Sequence, residues 1–436
     1  MGIQKSLSMQ QRAKGCIPGV TQLLSKRPDQ FSQGVWPGYF SRCQGAYVWD
    51  LDGNRYLDMS ISAIGAAVLG YADPDVDGAV RVAIGNGVAC SLNCPEEVEL
   101  AELLCELHPW AQMARFTRSG GEAMTLAVRL ARAATGRDLI AFCGYHGWHD
   151  WYLASNLSKD DALDGHLLPG LEPAGVPRSL AGTALPFSYN RLEELESIVV
   201  TRGRELGVIV MEPLRNFEPE PGFIEGVRRF ADQTGAVLIM DEISAGFRFT
   251  TGGAHLVKCS VEPDVAVFSK ALGNGYAIAA VIGRETVMQA AQKSFISSTN
   301  WTERIGPVAA LATVRKHREL GVAVRLNELG GAVQAGWKRA AKEAGLAVHV
   351  GGSLPLSHFT FEDGDHAAMK ALFVQEMVER GFLASNIYYA MHAHTDEHVQ
   401  SYLEATGQVF AEIASAHAAG EVENCLKGAP AAAGFK

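Results

Sequence analysis

The chain has 436 residues, 47% hydrophobic and 20% charged, a composition of ordinary globular proteins and too long for one simple core. With 38 basic against 48 acidic residues, the net charge of −10 argues against nucleic acid or an anionic membrane as partner. No apolar run approaches the roughly 18 residues of a membrane helix, Met1 to Lys14 lacks the apolar core of a signal peptide, and the eight cysteines contain no C-x-x-C pair. The expectation is a cytoplasmic enzyme with reduced thiols.

Residues 1–40 read as a helix and an irregular arm. Gln44 to Asp58 alternates around Asp52-Gly53-Asn54, a hairpin signal. Pro95 to His108 has helical period, with Val98, Leu100, Ala101, Leu104 and Leu107 expected inward. Arg115-Phe-Thr-Arg-Ser119-Gly-Gly-Glu122 opens a helix that runs to about Ala134. Ser119 and Glu122 fit the S-x-x-E capping box. The same turn frees the backbone N–H groups of Gly120 and Gly121 for a phosphate. The two readings are compatible.

Leu139 to Cys143 is a buried strand that delivers Gly144-Tyr145-His146-Gly-Trp148-His149-Asp150. A metal site from His146, His149 and Asp150 is disfavoured, because the ligands crowd one turn without a remote partner. An aromatic stacked on a flat cofactor suits the place better, and Tyr145 follows the strand directly. Residues 153–182 are punctuated by Asp, Gly and Pro and read as a long loop, a lid rather than a linker.

Three apolar strands then end in chemistry. Gly207-Val-Ile-Val-Met precedes Glu212, Ala236-Val-Leu-Ile-Met precedes Asp241, and Val265 to Phe268 precedes Ser269-Lys270. Short apolar runs bounded by turns fit central strands of a parallel sheet, whose carboxyl ends line a ligand crevice. Read alone, Lys270 is as well a strand-edge lysine reaching solvent. Read with the two acids, it suits Schiff-base chemistry. A lysine holding an aldehyde and an acid facing a pyridinium nitrogen are what pyridoxal phosphate asks of its protein.

Ala277 to Gly283 is a further strand, followed by a helix over 285–292, a polar loop with Ser298-Thr299 and Trp301-Thr-Glu303, and helices over about 305–318 and 322–344 with a break near Gly321. Trp301 and Glu303 are candidate substrate contacts. A packing aromatic and a helix-entry acid explain them equally well. The domains expected are residues 1–60 as an arm and part of a small domain, 61–310 as the large domain, 311–417 as the small α+β domain, and 418–436 as a loose tail.

Several blocks, in this order and spacing, resemble the class III (subgroup II) aminotransferases, and within them glutamate-1-semialdehyde aminomutase and its relatives. They are Ser119-Gly-Gly-Glu-Ala, Gly144-Tyr-His-Gly147, Met211-Glu-Pro213, Asp241-Glu-Ile-Ser-Ala-Gly-Phe-Arg248 and Phe268-Ser-Lys-Ala-Leu-Gly273. The resemblance implies an α/β fold of type I, with a mainly parallel sheet and a small α+β domain. It also implies a homodimer with active sites at the subunit interface. Carried over, Lys270 forms the Schiff base and moves the proton, and Asp241 pairs with the pyridine nitrogen. Ser119, Gly120 and Gly121 hold the phosphate, and Tyr145 stacks on the ring with His146 beside it. Glu212 lies near lysine and substrate, while Ser298 and Thr299 reach the neighbouring subunit's phosphate. No metal is implied.

The chain departs from the family at Gly121, where Ser or Thr is usual. The arm from Phe31 to Phe40 also carries no arginine until Arg42. Apart from one phosphate hydroxyl, the cofactor machinery is thus kept and the substrate-reading positions are changed. The function expected is a transaminase using a small-molecule amino donor and a carbonyl acceptor. An intramolecular 2,1-aminomutase is the alternative, and a silent pyridoxal-phosphate-binding protein a remote one.

Overall fold

The computed structural model of the chain describes residues 2–166, 169–214 and 217–431. They form two compact units. The first joins the residues up to Asp73 to those from Val324 on, and the second is Pro74–Ala323. Both boundaries lie later than expected, for local reasons. Residues 61–73 return to the first unit through a bridge between Gly45 and Tyr71 and a hydrogen bond from Ser62 Oγ to the Tyr389 carbonyl. The helix Ile305–Glu319 stays within Pro74–Ala323, where it packs on the helices Pro74–Gly85 and Pro95–Leu107 of the same unit.

The first unit begins with β1 (Phe40–Gln44), β2 (Tyr47–Asp50) and β3 (Arg55–Met59), an antiparallel meander. Its hairpin is the one expected. Asp50 Oδ1 accepts the N–H groups of Asp52 and Asn54 at 2.9 and 2.8 Å, and Gly53 takes φ of +91°.

The second unit holds seven strands: β4 (Met113–Thr117), β5 (Leu139–Cys143), β6 (Ala184–Pro186), β7 (Leu206–Met211), β8 (Val237–Asp241), β9 (Val265–Phe268) and β10 (Ala279–Gly283). Their order is β4-β10-β9-β8-β7-β5-β6. β10 pairs antiparallel with both β4 and β9, and every other pairing in the sheet is parallel. Strands β5, β7, β8 and β9 are buried along their whole length. That is why each reads as an unbroken apolar run instead of an alternating one. The helix Gly120–Thr135 covers one face through Met124, Val128 and Ala131.

The chain closes with β11 (Val348–Ser353), β12 (Leu356–Phe361), β13 (Phe382–Ala384) and β14 (Ile387–Tyr389). β13 pairs parallel with β3, and β11-β12-β14 form a small antiparallel sheet. The expected loose tail is instead tied down as far as it is described. Gln375 hydrogen-bonds the Cys425 carbonyl and the Lys427 N–H, Gln33 donates to the Pro430 carbonyl, and Ala431 is buried. Residues 432–436 lie outside the described residues.

The helix Pro95–Leu107 corrects one residue. Its buried stripe is Leu100, Leu103 and Leu104, while Val98 is 61% exposed. Leu103 joins the face of Leu100, Leu104 and Leu107, and Val98 falls on the opposite side of the helix. Among the described residues no helix is long and apolar enough to cross a membrane.

Candidate active site

Adjacent strands β5, β7, β8 and β9 bring their carboxyl ends to one edge of the sheet. Lys270 follows β9 by two residues and opens a tight turn, Lys270–Gly273. Its φ of +46° is left-handed, a conformation that a non-glycine residue holds at a cost of about 1 kcal/mol or more. The surrounding fold therefore fixes where this side chain starts. Its Nζ donates to Ser244 Oγ at 2.7 Å, and Ser244 belongs to the turn after β8.

Asp241 is the last residue of β8 and is buried. Its Oδ1 accepts the Ile243 N–H at 3.0 Å, and its Oδ2 lies 2.8 Å from His146 Nδ1. The other ring nitrogen, Nε2, is 3.1 Å from the Cys143 carbonyl, which can only accept. So Nε2 carries a proton, and a second proton must lie between Nδ1 and Asp241. The pair is an imidazolium against a carboxylate, or its proton-shared equivalent. His146 is itself only 2% exposed, so it meets the site through Asp241.

Glu212 follows β7, is buried, and accepts the Tyr145 N–H through Oε2 at 3.2 Å. Gly144 makes this possible: its φ is +116°, and a Cβ there would collide with the Glu212 carboxylate. The Tyr145 ring is 39% exposed, an apolar face left at the edge.

The helix Gly120–Thr135 begins beside β4. The S-x-x-E pattern forms a capping box, and Glu122 Oε2 accepts from the N–H groups of Arg118 and Ser119 and from the Ser119 hydroxyl. The first-turn N–H groups of Gly120 and Gly121 have no intrahelical partner, as at any helix start. A side chain at either position would crowd a neighbour. A Cβ on Gly120 would press on Ile243 at 2.8 Å, and one on Gly121 on the His149 ring at 3.1 Å.

The loop candidates are placed differently. Ser298 and Thr299 are exposed. Glu303 accepts from the Ile305 and Gly306 N–H groups at the entry of the helix Ile305–Glu319. Arg118 holds the same loop, donating to the carbonyls of Trp301 at 3.0 Å and Glu303 at 2.6 Å. Trp301 packs against the core of the second unit, and its indole N–H has no hydrogen-bond partner among the described residues.

Sequence reasoning missed a buried polar layer behind the site. Glu242 Oε1 accepts the His255 N–H at 2.9 Å and its Nδ1 proton at 2.6 Å, and Oε2 accepts the Ala254 N–H at 2.9 Å. Trp110 Nε1 donates to His255 Nε2 at 3.0 Å, which fixes the imidazole as neutral and Glu242 as its anionic partner. His108 stacks on His255, accepts the Gly253 N–H, and is pushed down by burial to about 4. Long spans of sequence separate these groups, so no local signal links them. The segment expected to be a lid is anchored where it is described. Asn156 bonds both Leu163 and Leu171, Leu163 is buried in the core, and His166 Nδ1 accepts the Gly144 N–H.

Residues 32–405 match the family model for Aminotransferase class-III. The chain belongs to that family. It is 32% identical over 428 residues to a 3-aminobutyryl-CoA aminotransferase of Cloacimonas acidaminovorans, covering 94% of this chain and 98% of the relative. It is 34% identical over 406 residues to a glutamate-1-semialdehyde 2,1-aminomutase of Roseiflexus castenholzii, covering 88% and 92%. Among solved structures, the pyridoxal-phosphate internal aldimine form of FumI from Sphingopyxis sp. MTA144 superposes with a TM-score of 0.86 at 26% identity, over 95% of this chain and 98% of that one. The class III chain is thus a fold-type I, pyridoxal-phosphate-dependent transaminase or aminomutase. Its own residues fit that cofactor: a lysine and a buried acid on neighbouring strand ends, a helix start stripped of side chains, and an open aromatic face.

Proposed function

We propose that this class III enzyme is an intermolecular transaminase, passing an amino group from a donor amine to a separate aldehyde or ketone. The observation that carries the reading is Lys270, held left-handed at the end of β9 with Nζ on Ser244, one strand away from the Asp241–His146 pair. When bound, pyridoxal phosphate supplies an aldehyde and a ring that stores the electron pair of the deprotonated substrate carbon.

The chain's residues do the rest. Lys270 takes the substrate Cα proton and returns it, and Ser244 orients the amine that does so. Asp241 holds a proton on the pyridine nitrogen, and His146 fixes the carboxylate that does the holding. Ser119 and the N–H groups of Gly120 and Gly121 bind the phosphate at the positive end of the helix. Tyr145 covers the ring, and Glu212 sets its backbone. Trp301 is the substrate contact in this reading, on a loop clamped by Arg118.

The active form in this reading is a cytoplasmic homodimer. Phe295 is 92% exposed beside Ser298 and Thr299, an apolar side chain whose burial a second copy would reward. That copy would bring Ser298 and Thr299 to its neighbour's phosphate.

An intramolecular aminomutase is the second reading, favoured by the 34% identity to a named aminomutase over 88% of this chain. Product analysis separates the two. The transaminase needs a carbonyl acceptor for repeated turnover with a donor amine. Steady conversion of one substrate to its amino-shifted isomer, with no acceptor present, overturns the proposal.

A further inference from the structure

The turn after β5 puts a ring where the helix Gly120–Thr135 has no side chain. A Cβ built on Gly121 would lie 3.1 Å from both Cδ2 and Nε2 of His149 and 3.8 Å from Trp148 Nε1. The backbone is just as close, since a Cβ on Gly147 would lie 3.4 Å from the Gly121 Cα. The ring is seated there by its neighbours, with the Trp148 and His149 centroids 4.5 Å apart. Among the described residues neither nitrogen of the His149 ring makes a hydrogen bond. Burial holds this imidazole below its ordinary value, opposed by the charges of Glu122 and Asp150.

We infer that His149, through Nε2, is a phosphate ligand of the cofactor, filling the space that Gly121 leaves and supplying a donor that position 121 lacks. The inference rests on the reading of the Ser119–Gly121 turn as the phosphate site. Three terminal oxygens of a phosphate accept more hydrogen bonds than two backbone N–H groups and one hydroxyl donate. The Ser119 hydroxyl lies 3.1 Å from Glu122 Oε2 and must turn from it to reach a phosphate, so it is a shared donor. A ring N–H beside the first turn makes up the shortfall, and the missing Cβ at 121 lets it approach. Trp148 Nε1 stands next to it and is 70% exposed at the residue level, so it is the weaker donor.

The test is cofactor binding, read without turnover. Apo-enzyme is titrated with pyridoxal 5'-phosphate and, separately, with pyridoxal, which lacks the phosphate. The wild type, H149F, H149A, S119A, G121S and the double variant H149A/G121S are compared by equilibrium dialysis. H149F keeps a ring and loses the donor. It is expected to bind pyridoxal phosphate about tenfold or more weakly while pyridoxal binding stays unchanged. G121S in the H149A background is expected to recover much of the loss, because a hydroxyl then occupies the same space.

If H149F binds pyridoxal phosphate like wild type, the inference is overturned. If it loses pyridoxal and pyridoxal phosphate equally, the ring is structural and the inference is again overturned. S119A separates the two levels. Weakening in S119A but not in H149F leaves the phosphate site standing and removes His149 from it. No weakening in either variant removes the site itself.

Discussion

Glu242→Gln exchanges one oxygen of a buried carboxylate for an amide nitrogen. The wild-type group accepts three N–H bonds, from Ala254, from the His255 backbone and from His255 Nδ1, at 2.9, 2.9 and 2.6 Å. Neither amide orientation satisfies all of them. If the new NH2 faces Ala254, one buried N–H loses its acceptor. If it faces His255, two do. His255 cannot adapt by moving its proton, because Trp110 occupies Nε2 as a donor. One orphaned buried N–H costs about 1–3 kcal/mol, and the two remaining bonds drop from charge-assisted to neutral strength, about 1 kcal/mol each.

Removing a charge from a buried place returns part of this. A net loss of about 2–3 kcal/mol follows, concentrated in the loop from Gly252 to His255 that folds back on Glu242. Hydrogen–deuterium exchange resolved by peptide reads it locally. Amides of Gly253, Ala254 and His255 are expected to exchange about 30–150-fold faster in the variant. Exchange within about threefold of wild type would refute this assignment of donors and acceptors around Glu242.

Three further outcomes are expected. Asp241→Asn keeps both bonds, its amide oxygen accepting from Ile243 and its nitrogen donating to a neutral His146, so melting changes little. The rate of the donor half-reaction is expected to fall by about two orders of magnitude or more, and a near-wild-type rate would contradict the role assigned to Asp241. Gly144→Ala sets a Cβ against the Glu212 carboxylate at φ of +116°, with an expected loss of about 1–3 kcal/mol in urea unfolding; an unchanged midpoint would show that the turn yields freely. His108 and His394 are both held by burial near about 4, well below the unfolded value of about 6.5. Unfolding therefore takes up protons between those values. Their contribution is full above pH of about 6.5 and is lost towards pH of about 4, at up to about 1.4 kcal/mol per pH unit for each group. A flat stability profile across that window would be inconsistent with both burials.

The strands that carry the site were legible because they are central. β7, β8 and β9 are buried on both faces, so their sequences are unbroken apolar runs that stop where the chemistry starts. The helix start at Ser119 was legible from local chemistry, since Glu122 reaches back only three residues. What failed was non-local or ambiguous. Val98 lies almost opposite Leu100, Leu103 and Leu104 around the helix, and its i,i+3 spacing to Ala101 read without the full stripe misplaced it. Trp110 meets His255 across 145 residues, and His166 meets Gly144 from inside a stretch with no period to read. The role inferred for His149 left one trace in the sequence, the glycine at 121, whose meaning appears only when the ring above it is seen. Glu303, a substrate candidate by its loop, is shared between a helix entry and Arg118.

The whole mechanism turns on Lys270 carrying both the cofactor and the proton. The sharpest test is the visible spectrum of the purified protein with pyridoxal phosphate, before and after a panel of donor amines, with Lys270→Ala alongside. Lys270 in that role predicts a yellow wild type that at least one donor bleaches, and a variant whose bound cofactor is not turned over. A wild type that stays colourless in the presence of pyridoxal phosphate, or a Lys270→Ala variant that bleaches and recovers at the wild-type rate, would contradict it.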